Sequence, residues 1–306
     1  MRILLTGKNG QVGAELAVFL PRLGEVVAFD HQELDLSNPY GIRRCIRDVR
    51  PGVIVNAAAY TAVDQAEEDQ DHARMVNADA PGLMAEEAKK IGAVLVHYST
   101  DYVFDGSKQT PYEETDQPSP INAYGKTKLA GEEAIRSVDV AHLIFRTAWV
   151  YGTRGRNFLL TMLRLATERE ELKVVRDQFG APTWSREIAK GTATVLAQLS
   201  QQGPEAILRL GGTYHITAAG QASWFEFAEA ILEKASRTPQ GVAWFAAATG
   251  SRPLVARGVT PITTAQYASP TRRPAYSVLS NHRLMQTFGL DLPGWKAQLD
   301  ATFAER

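Results

Sequence analysis

The chain carries a single cysteine in 306 residues, so no internal disulfide can staple it. That residue, Cys45, sits in a helical-looking stretch, GIRRCIRDV, which suits an inert, partly buried thiol rather than a nucleophile. Net charge is nearly absent as well: 33 Lys and Arg stand against 34 Asp and Glu, for a formal charge of -1. No global field therefore favours nucleic acid or an anionic membrane surface as a partner. No apolar run is long enough to span a bilayer. Met1 leads almost directly into an apolar strand, without a basic segment, long apolar core or small-residue cleavage site before it. The expectation is a cytoplasmic protein. Repeats and low-complexity tracts are also missing, which leaves an ordinary globular chain sized for one large α/β unit or two closely joined domains.

What is present alternates. Short β-branched runs are followed by amphipathic helical stretches: ILLT then QVGAELAVFL, VVAF then GIRRCIRDV, VIVN then a long polar and Ala-rich segment, VLVHYST then NAYGKTKLAGEEAI, and finally HLIFRT. Strands that are apolar on both faces, separated by helices, specify a parallel sheet covered on both sides. Sheet-like signals return at LKVV and TYHIT around a helix beginning near Ser185, so the sheet is expected to draw on parts of 172–218. After about Tyr151 the pattern loosens. It gives helices near Phe158 to Thr167 and Ser223 to Lys234, a Pro- and Arg-rich stretch (TPITTAQYASPTRRPAYSVL) suited to loops around a pocket, and two short terminal helices. This predicts a cofactor-binding domain over 1–150 and a smaller substrate-binding domain over 151–306.

The first strand runs straight into Gly7, Gly10 and Gly13, with Gln11 and Val12 opening a helix. Glycines so placed permit a tight turn, backbone approach to a pyrophosphate, and close helix-strand packing, the fingerprint of a Rossmann-type doubly wound fold. The same glycines are also compatible with a plain turn. Asp30, at the end of the second strand and seventeen residues after Gly13, is placed to accept hydrogen bonds from a ribose. That favours NADH, although His31 or a rotated Asp30 leaves NADPH open. Asp35 and Leu36 are expected near an adenine, with solvation of the helix ahead of Pro39 the competing role for Asp35. Ala58, Ala59, Tyr60 and Thr61 after the third strand suit a flat ligand lying on the backbone, or tight helix-sheet packing. The fourth strand ends in Ser99, Thr100, Asp101 and Tyr102, where hydroxyls can hold a carbonyl or cap a helix. Tyr124 and Lys128, four apart, share one helical face. There an ammonium can lower the pKa of a phenol and make it a general acid.

Four segments in this order, GKNGQVG, NAAAY, YSTDYVF and YGKTKLAGE, resemble the extended short-chain dehydrogenases/reductases. AVD after NAAAYT, RTAWVYG, NFLLTMLRLA, DQFGAPTW and RRPAYSVL extend the likeness, from Met1 to roughly Thr302, to that family's reductases of dTDP-linked 4-keto-6-deoxyhexoses. The resemblance implies NADPH or NADH as hydride donor, a dTDP-sugar as substrate and dTDP-L-rhamnose as product. It implies Tyr124 as the acid, Lys128 as lowering the Tyr124 pKa and binding the nicotinamide ribose, and Thr100 as positioning the ketone. It places Val63, Asp101, Tyr102 and Trp149 near the sugar, with a core role for Trp149 nearly as well supported. It also makes Asn157, Arg272 and Arg273 candidates for diphosphate or thymidine contacts, or ordinary surface groups. Family members are described as dimers bridged by a divalent cation such as magnesium. Glu15 and Glu187 match that site, but Lys296 stands where a third carboxylate is expected, and an ammonium disfavours a cation. No metal site is therefore expected, and a homodimer would lack that bridge. Two further readings stay open: a non-catalytic NADP-binding regulatory subunit like the methionine adenosyltransferase β-subunit, and another nucleotide-sugar reductase or epimerase of the extended family.

Overall fold

A computed structural model describes residues 1–203 and 205–305. Six strands, β1 (Arg2–Thr6), β2 (Glu25–Phe29), β3 (Val53–Asn56), β4 (Val94–Thr100), β5 (His142–Thr147) and β6 (Gly212–His215), form one sheet. Its order is β6-β5-β4-β3-β1-β2 and every pairing is parallel. Side chains alternate across such a sheet, and the core divides accordingly. Ile3, Leu5, Val55, Val96 and Phe145 pack on one face with Leu16 of α1 (Gln11–Phe19). Leu4, Ile54, Leu95 and Ile144 pack on the other with Ile46 of α2 (Pro39–Val49), Met84 of α3 (Ala80–Ile91) and Ile135 of α4 (Ala123–Ser137). Helix α5 (Ser185–Gln202) joins α1, contributing Ile188 and Val195. This is a Rossmann-type doubly wound fold. The chain leaves β1 toward β2 and returns on its other side to β3, so a crevice opens at the carboxyl ends of β1 and β3.

The TYHIT signal is β6 and lies in this sheet. LKVV is not. Glu171–Val175 pairs in parallel with Gly258–Ile262 in a separate two-stranded ribbon, and Glu171 and Lys173 are exposed while Leu172 and Val174 are buried. A strand with one polar face does not fit a sheet covered on both sides. The stretch expected to be all loop therefore begins as the ribbon's second strand and continues into a short helix, Thr264–Tyr267. Around the ribbon a second apolar cluster gathers Tyr151, Leu163, Phe227, Ile231, Phe245 and Leu299. Among the described residues no helix is long and apolar enough to cross a membrane. The Cys45 thiol is half-buried, and burial pushes it up to about 11, which keeps it unreactive.

Helices α2 and α3 are pinned by Glu87, whose buried carboxylate accepts from Arg43 Nη1 (2.8 Å), Arg47 Nε (2.8 Å) and Lys90 Nζ (2.8 Å). The Arg47 bonds first, against burial, and then Lys90 and Arg43 bring its pKa down from 4.5 to about 2. A depressed folded pKa stabilises above the unfolded value, and that stability is lost as pH falls through the folded one. Glu87→Gln is expected to cost about 1–3 kcal/mol at neutral pH. It should also flatten the loss of stability between pH 4.5 and about 2, as read from urea midpoints.

Candidate active site

The loop after β1 is built for close approach. Gly7 has φ +73°, and a Cβ there would lie 2.9 Å from Ala58 Cα; a Cβ on Gly13 would lie 2.0 Å from the Gly7 carbonyl oxygen. Gly10 begins α1 without a capping side chain. The helix therefore presents its first-turn N–H groups and positive dipole end to the crevice, an arrangement that accepts an anion. A cleft of about 480 Å³ opens here. Gly7, Gly10, Gln11, Val12, Asp30 and Leu36 line one side; Ala58, Ala59, Thr61, Tyr124 and Lys128 line the other.

Some expected cofactor residues stand behind this wall. Gly13 serves only the helix-loop packing. Asp35 Oδ1 accepts from Ser37 N (2.9 Å), closing the turn ahead of α2. Tyr60 is held through its own backbone N–H and C=O by the Asn77 carboxamide (2.9 and 3.0 Å), and its ring meets His72 edge-on. The Asp30 carboxylate, expected to be free for ribose, already accepts from Gln32 N (2.9 Å), Glu33 N (3.1 Å) and Asn9 Nδ2 (2.9 Å). Its pKa is lowered mainly by the Glu33 amide.

Tyr124 occupies the first turn of α4. Asn122 caps that turn, accepting from Gly125 N (2.8 Å) and donating to Arg272 O (3.0 Å). A Cβ on Gly125 would lie 2.2 Å from Tyr102 O, so the turn carrying Tyr124 rests directly on the Asp101–Val103 turn that follows β4. The Tyr102 and Tyr124 rings meet edge to face at 5.6 Å. Thr100 Oγ1 donates to Asp101 Oδ1 (3.0 Å) and accepts from Tyr102 N (3.2 Å). Burial pushes the Asp101 carboxyl up to about 6, against bonds from Ser277 and Thr100.

The electrostatics correct one expectation. Burial pushes the Tyr124 phenol up to about 12; Thr100 draws it down and Asp101 raises it further. Lys128 does not act on the phenol here. Its Nζ donates to Tyr98 O (2.6 Å) and lies 3.2 Å from His97 Nε2, because the strand beneath α4 offers a buried carbonyl and an imidazole nitrogen. Burial brings Lys128 down to about 8, with Glu132 opposing.

The remaining expected residues scatter. Arg273 Nη2 reaches both oxygens of Asp64 (2.8 and 2.9 Å), next to half-buried Val63, and the guanidinium draws the Tyr102 phenol down against its burial. Arg272 is exposed. Asn157 is spent internally: its Oδ1 caps the Phe158–Ala166 helix at Leu160 N (3.0 Å), and its Nδ2 donates to Gln11 Oε1 (2.9 Å) and Gly152 O (2.9 Å). Trp149 has φ +46° and stacks flat on Trp224, with centroids 3.4 Å apart and planes 2° apart. A Cβ on Gly180 would come within 2.3 Å of its indole. Glu15 is neutralised by Arg186 Nε (2.9 Å), and Glu187 lies 3.7 Å from Lys190. Among the described residues no group of three or more His, Cys, Asp or Glu is placed to hold a metal ion.

Three polar residues that sequence reading passed over sit at this site: Asn56, Asn77 and His97, each at most 1% exposed. Polar groups in strands buried on both faces require partners, and His97 inside VLVHYST carried that signal.

The family model described as the RmlD substrate binding domain matches residues 1–306. A dTDP-4-dehydrorhamnose reductase of Burkholderia thailandensis is 51% identical over 97% of this chain and 96% of its own length. One of Escherichia coli K12 is 43% identical over 97% and 95%. The crystal structure of a dTDP-4-dehydrorhamnose reductase from Bacillus anthracis in complex with NADP superposes with a TM-score of 0.85 at 35% identity, covering 99% of this chain and 98% of that one. With a glycine-lined cleft at the sheet's switch point and a tyrosine-lysine helix beside it, the chain belongs to the dTDP-4-dehydrorhamnose reductase family.

Proposed function

We propose that the protein reduces the C4 ketone of dTDP-4-dehydro-6-deoxy-L-lyxo-hexulose to dTDP-L-rhamnose with NADPH or NADH, in the cytoplasm. The observation that carries the reading is the meeting of Thr100, Asp101 and Tyr124 at the carboxyl end of β4, on the rim of the cleft described above. The cleft fits a dinucleotide. Side chains at Gly7 and Gly13 would collide with backbone, and the uncapped start of α1 suits a pyrophosphate. A reduced nicotinamide supplies the hydride when bound.

The chain's own part is the proton and the pose. A phenol with a pKa near 12 stays neutral at physiological pH. An alkoxide is a stronger base than a phenolate, so the Tyr124 proton passes downhill to the C4 oxygen as charge develops. Thr100, beside that phenol at the end of β4, is the hydroxyl that positions the ketone. The ammonium of Lys128 lies on the cleft floor, where a ribose hydroxyl can accept from it. We assign cofactor binding to 1–150 and the sugar end to 151–306. There Arg273 offers a cation for the diphosphate, and Trp149, at the border of the two, offers an aromatic surface.

The test mixes the protein with the keto-sugar and NADPH or NADH and follows loss of nicotinamide absorbance. Turnover with either is expected. A folded protein that binds the nucleotide yet turns over neither would overturn the reductase reading and favour a regulatory subunit.

A further inference from the structure

Lys128 stands at the end of a buried chain of hydrogen bonds that reaches back across three strands. Thr6 Oγ1 of β1 donates to Asn56 Oδ1 of β3 (2.7 Å), Asn56 Nδ2 lies 3.1 Å from His97 Nδ1 of β4, and His97 Nε2 lies 3.2 Å from Lys128 Nζ. Thr6, Asn56, His97 and Lys128 are each 1% exposed. We propose that His97, oriented by Asn56, is a positioning residue for the reduction, an imidazole whose tautomer follows the charge of Lys128 and whose Nε2 lone pair holds the ammonium on the cleft floor. The inference rests on reading Lys128 as part of the reducing site.

A neutral imidazole has one donor and one acceptor nitrogen. When Lys128 is an ammonium, Nε2 must be the acceptor. Nδ1 then carries the proton, and Asn56 must turn its oxygen toward it. When Lys128 is neutral, Nε2–H donates to the amine, and Nδ1 accepts from Asn56 Nδ2 while Thr6 donates to Asn56 Oδ1. The second arrangement matches the carboxamide orientation in the structure. A carboxamide is the side chain that can serve both, because it presents a donor on one end and an acceptor on the other. The ring itself stays neutral: burial first, and then the neighbouring Lys128, hold His97 well below its ordinary value. It therefore accepts from a cation without adding a second charge.

The groups facing the pair are few. Tyr124 lies one turn before Lys128 and Glu132 one turn after it on α4. Arg146 of β5 clamps Glu132, His215 of β6 lies beside that pair, and Asp101 follows β4. Of these, Glu132 raises Lys128.

Two measurements test this. The first uses ¹⁵N-histidine-labelled protein without cofactor, so it needs no turnover. As pH rises through the Lys128 titration near 8, the His97 signals should move from the Nδ1–H toward the Nε2–H tautomer, and Lys128→Met should remove that dependence. The second uses kcat against pH. His97→Leu should lower kcat roughly ten- to hundredfold, because the buried ammonium loses an acceptor. It should also move the alkaline limb to lower pH, since the charged form is the one destabilised. His97→Gln, which can place an amide oxygen where Nε2 stood, should restore both. A His97 protonated on both nitrogens, a tautomer indifferent to Lys128→Met, or a Leu variant whose limb does not move would overturn the proposal. If the wild type turns over no keto-sugar, the tautomer measurement alone decides it.

Discussion

Tyr124→Phe is expected to bind NADPH as the wild type does and to lose turnover of the keto-sugar by roughly a hundred- to ten-thousandfold, the usual span for a positioned general acid. The ring is retained, so the edge-to-face contact with Tyr102 at 5.6 Å survives and stability should change little. Only the transferable proton is removed. Burial holds the phenol up to about 12, so an alkaline limb in the wild-type profile is expected to follow Lys128, near 8, rather than Tyr124. A Phe variant with near wild-type kcat would show that the proton comes from elsewhere.

Arg146→Leu is expected to cost about 3–5 kcal/mol of stability, the range for breaking a buried ion pair from one side. Arg146 and Glu132 are 2% and 0% exposed, joined by bonds of 2.8 and 2.7 Å from Nε and Nη2. Burial pushes the Glu132 carboxyl up, but the Arg146 bonds and charge, with Ser99 and Arg136, outweigh it and leave the pKa lowered. In the wild type that stability is present above the ordinary carboxylate value and disappears as pH falls through the folded one. In the variant Glu132 keeps only the part-exposed Arg136 (3.0 Å), so its pKa should rise and the loss of stability in acid should flatten. The double variant Glu132→Leu/Arg146→Leu should recover most of the loss, because no buried charge is left alone. Urea midpoints against pH read all three. A single variant that loses less than about 1 kcal/mol would show that Arg136 alone is enough to hold Glu132.

Which parts of this molecule could be read in its sequence follows from how local the forces are. Runs such as VIVN and VLVHY are apolar without alternation, and burial on both faces of a parallel sheet is the condition that demands it. GKNGQVG encodes its own geometry, since a Cβ at Gly13 meets backbone only six residues away. LKVV misled because its alternating partner, Glu171 to Val175 against Gly258 to Ile262, lies more than eighty residues on. The polar side chains are hard to read for a related reason. Asn157 and Arg273 carry donors suited to phosphate, but whether those donors are free depends on Gly152, Gln11 and Asp64. Spacing likewise put Lys128 beside Tyr124, yet its ammonium turns to His97 and Tyr98 on a strand below, which no helical periodicity records.

The stacked indoles of Trp149 and Trp224 also make the protein its own optical reporter. Two indoles stacked at 3.4 Å couple electronically, so parting the rings changes the absorption and fluorescence of the pair. Trp149 is held there by a left-handed backbone and by Gly180 beneath it, so the pair has little freedom to drift. Its signal registers whatever parts or covers the two rings, with no label attached.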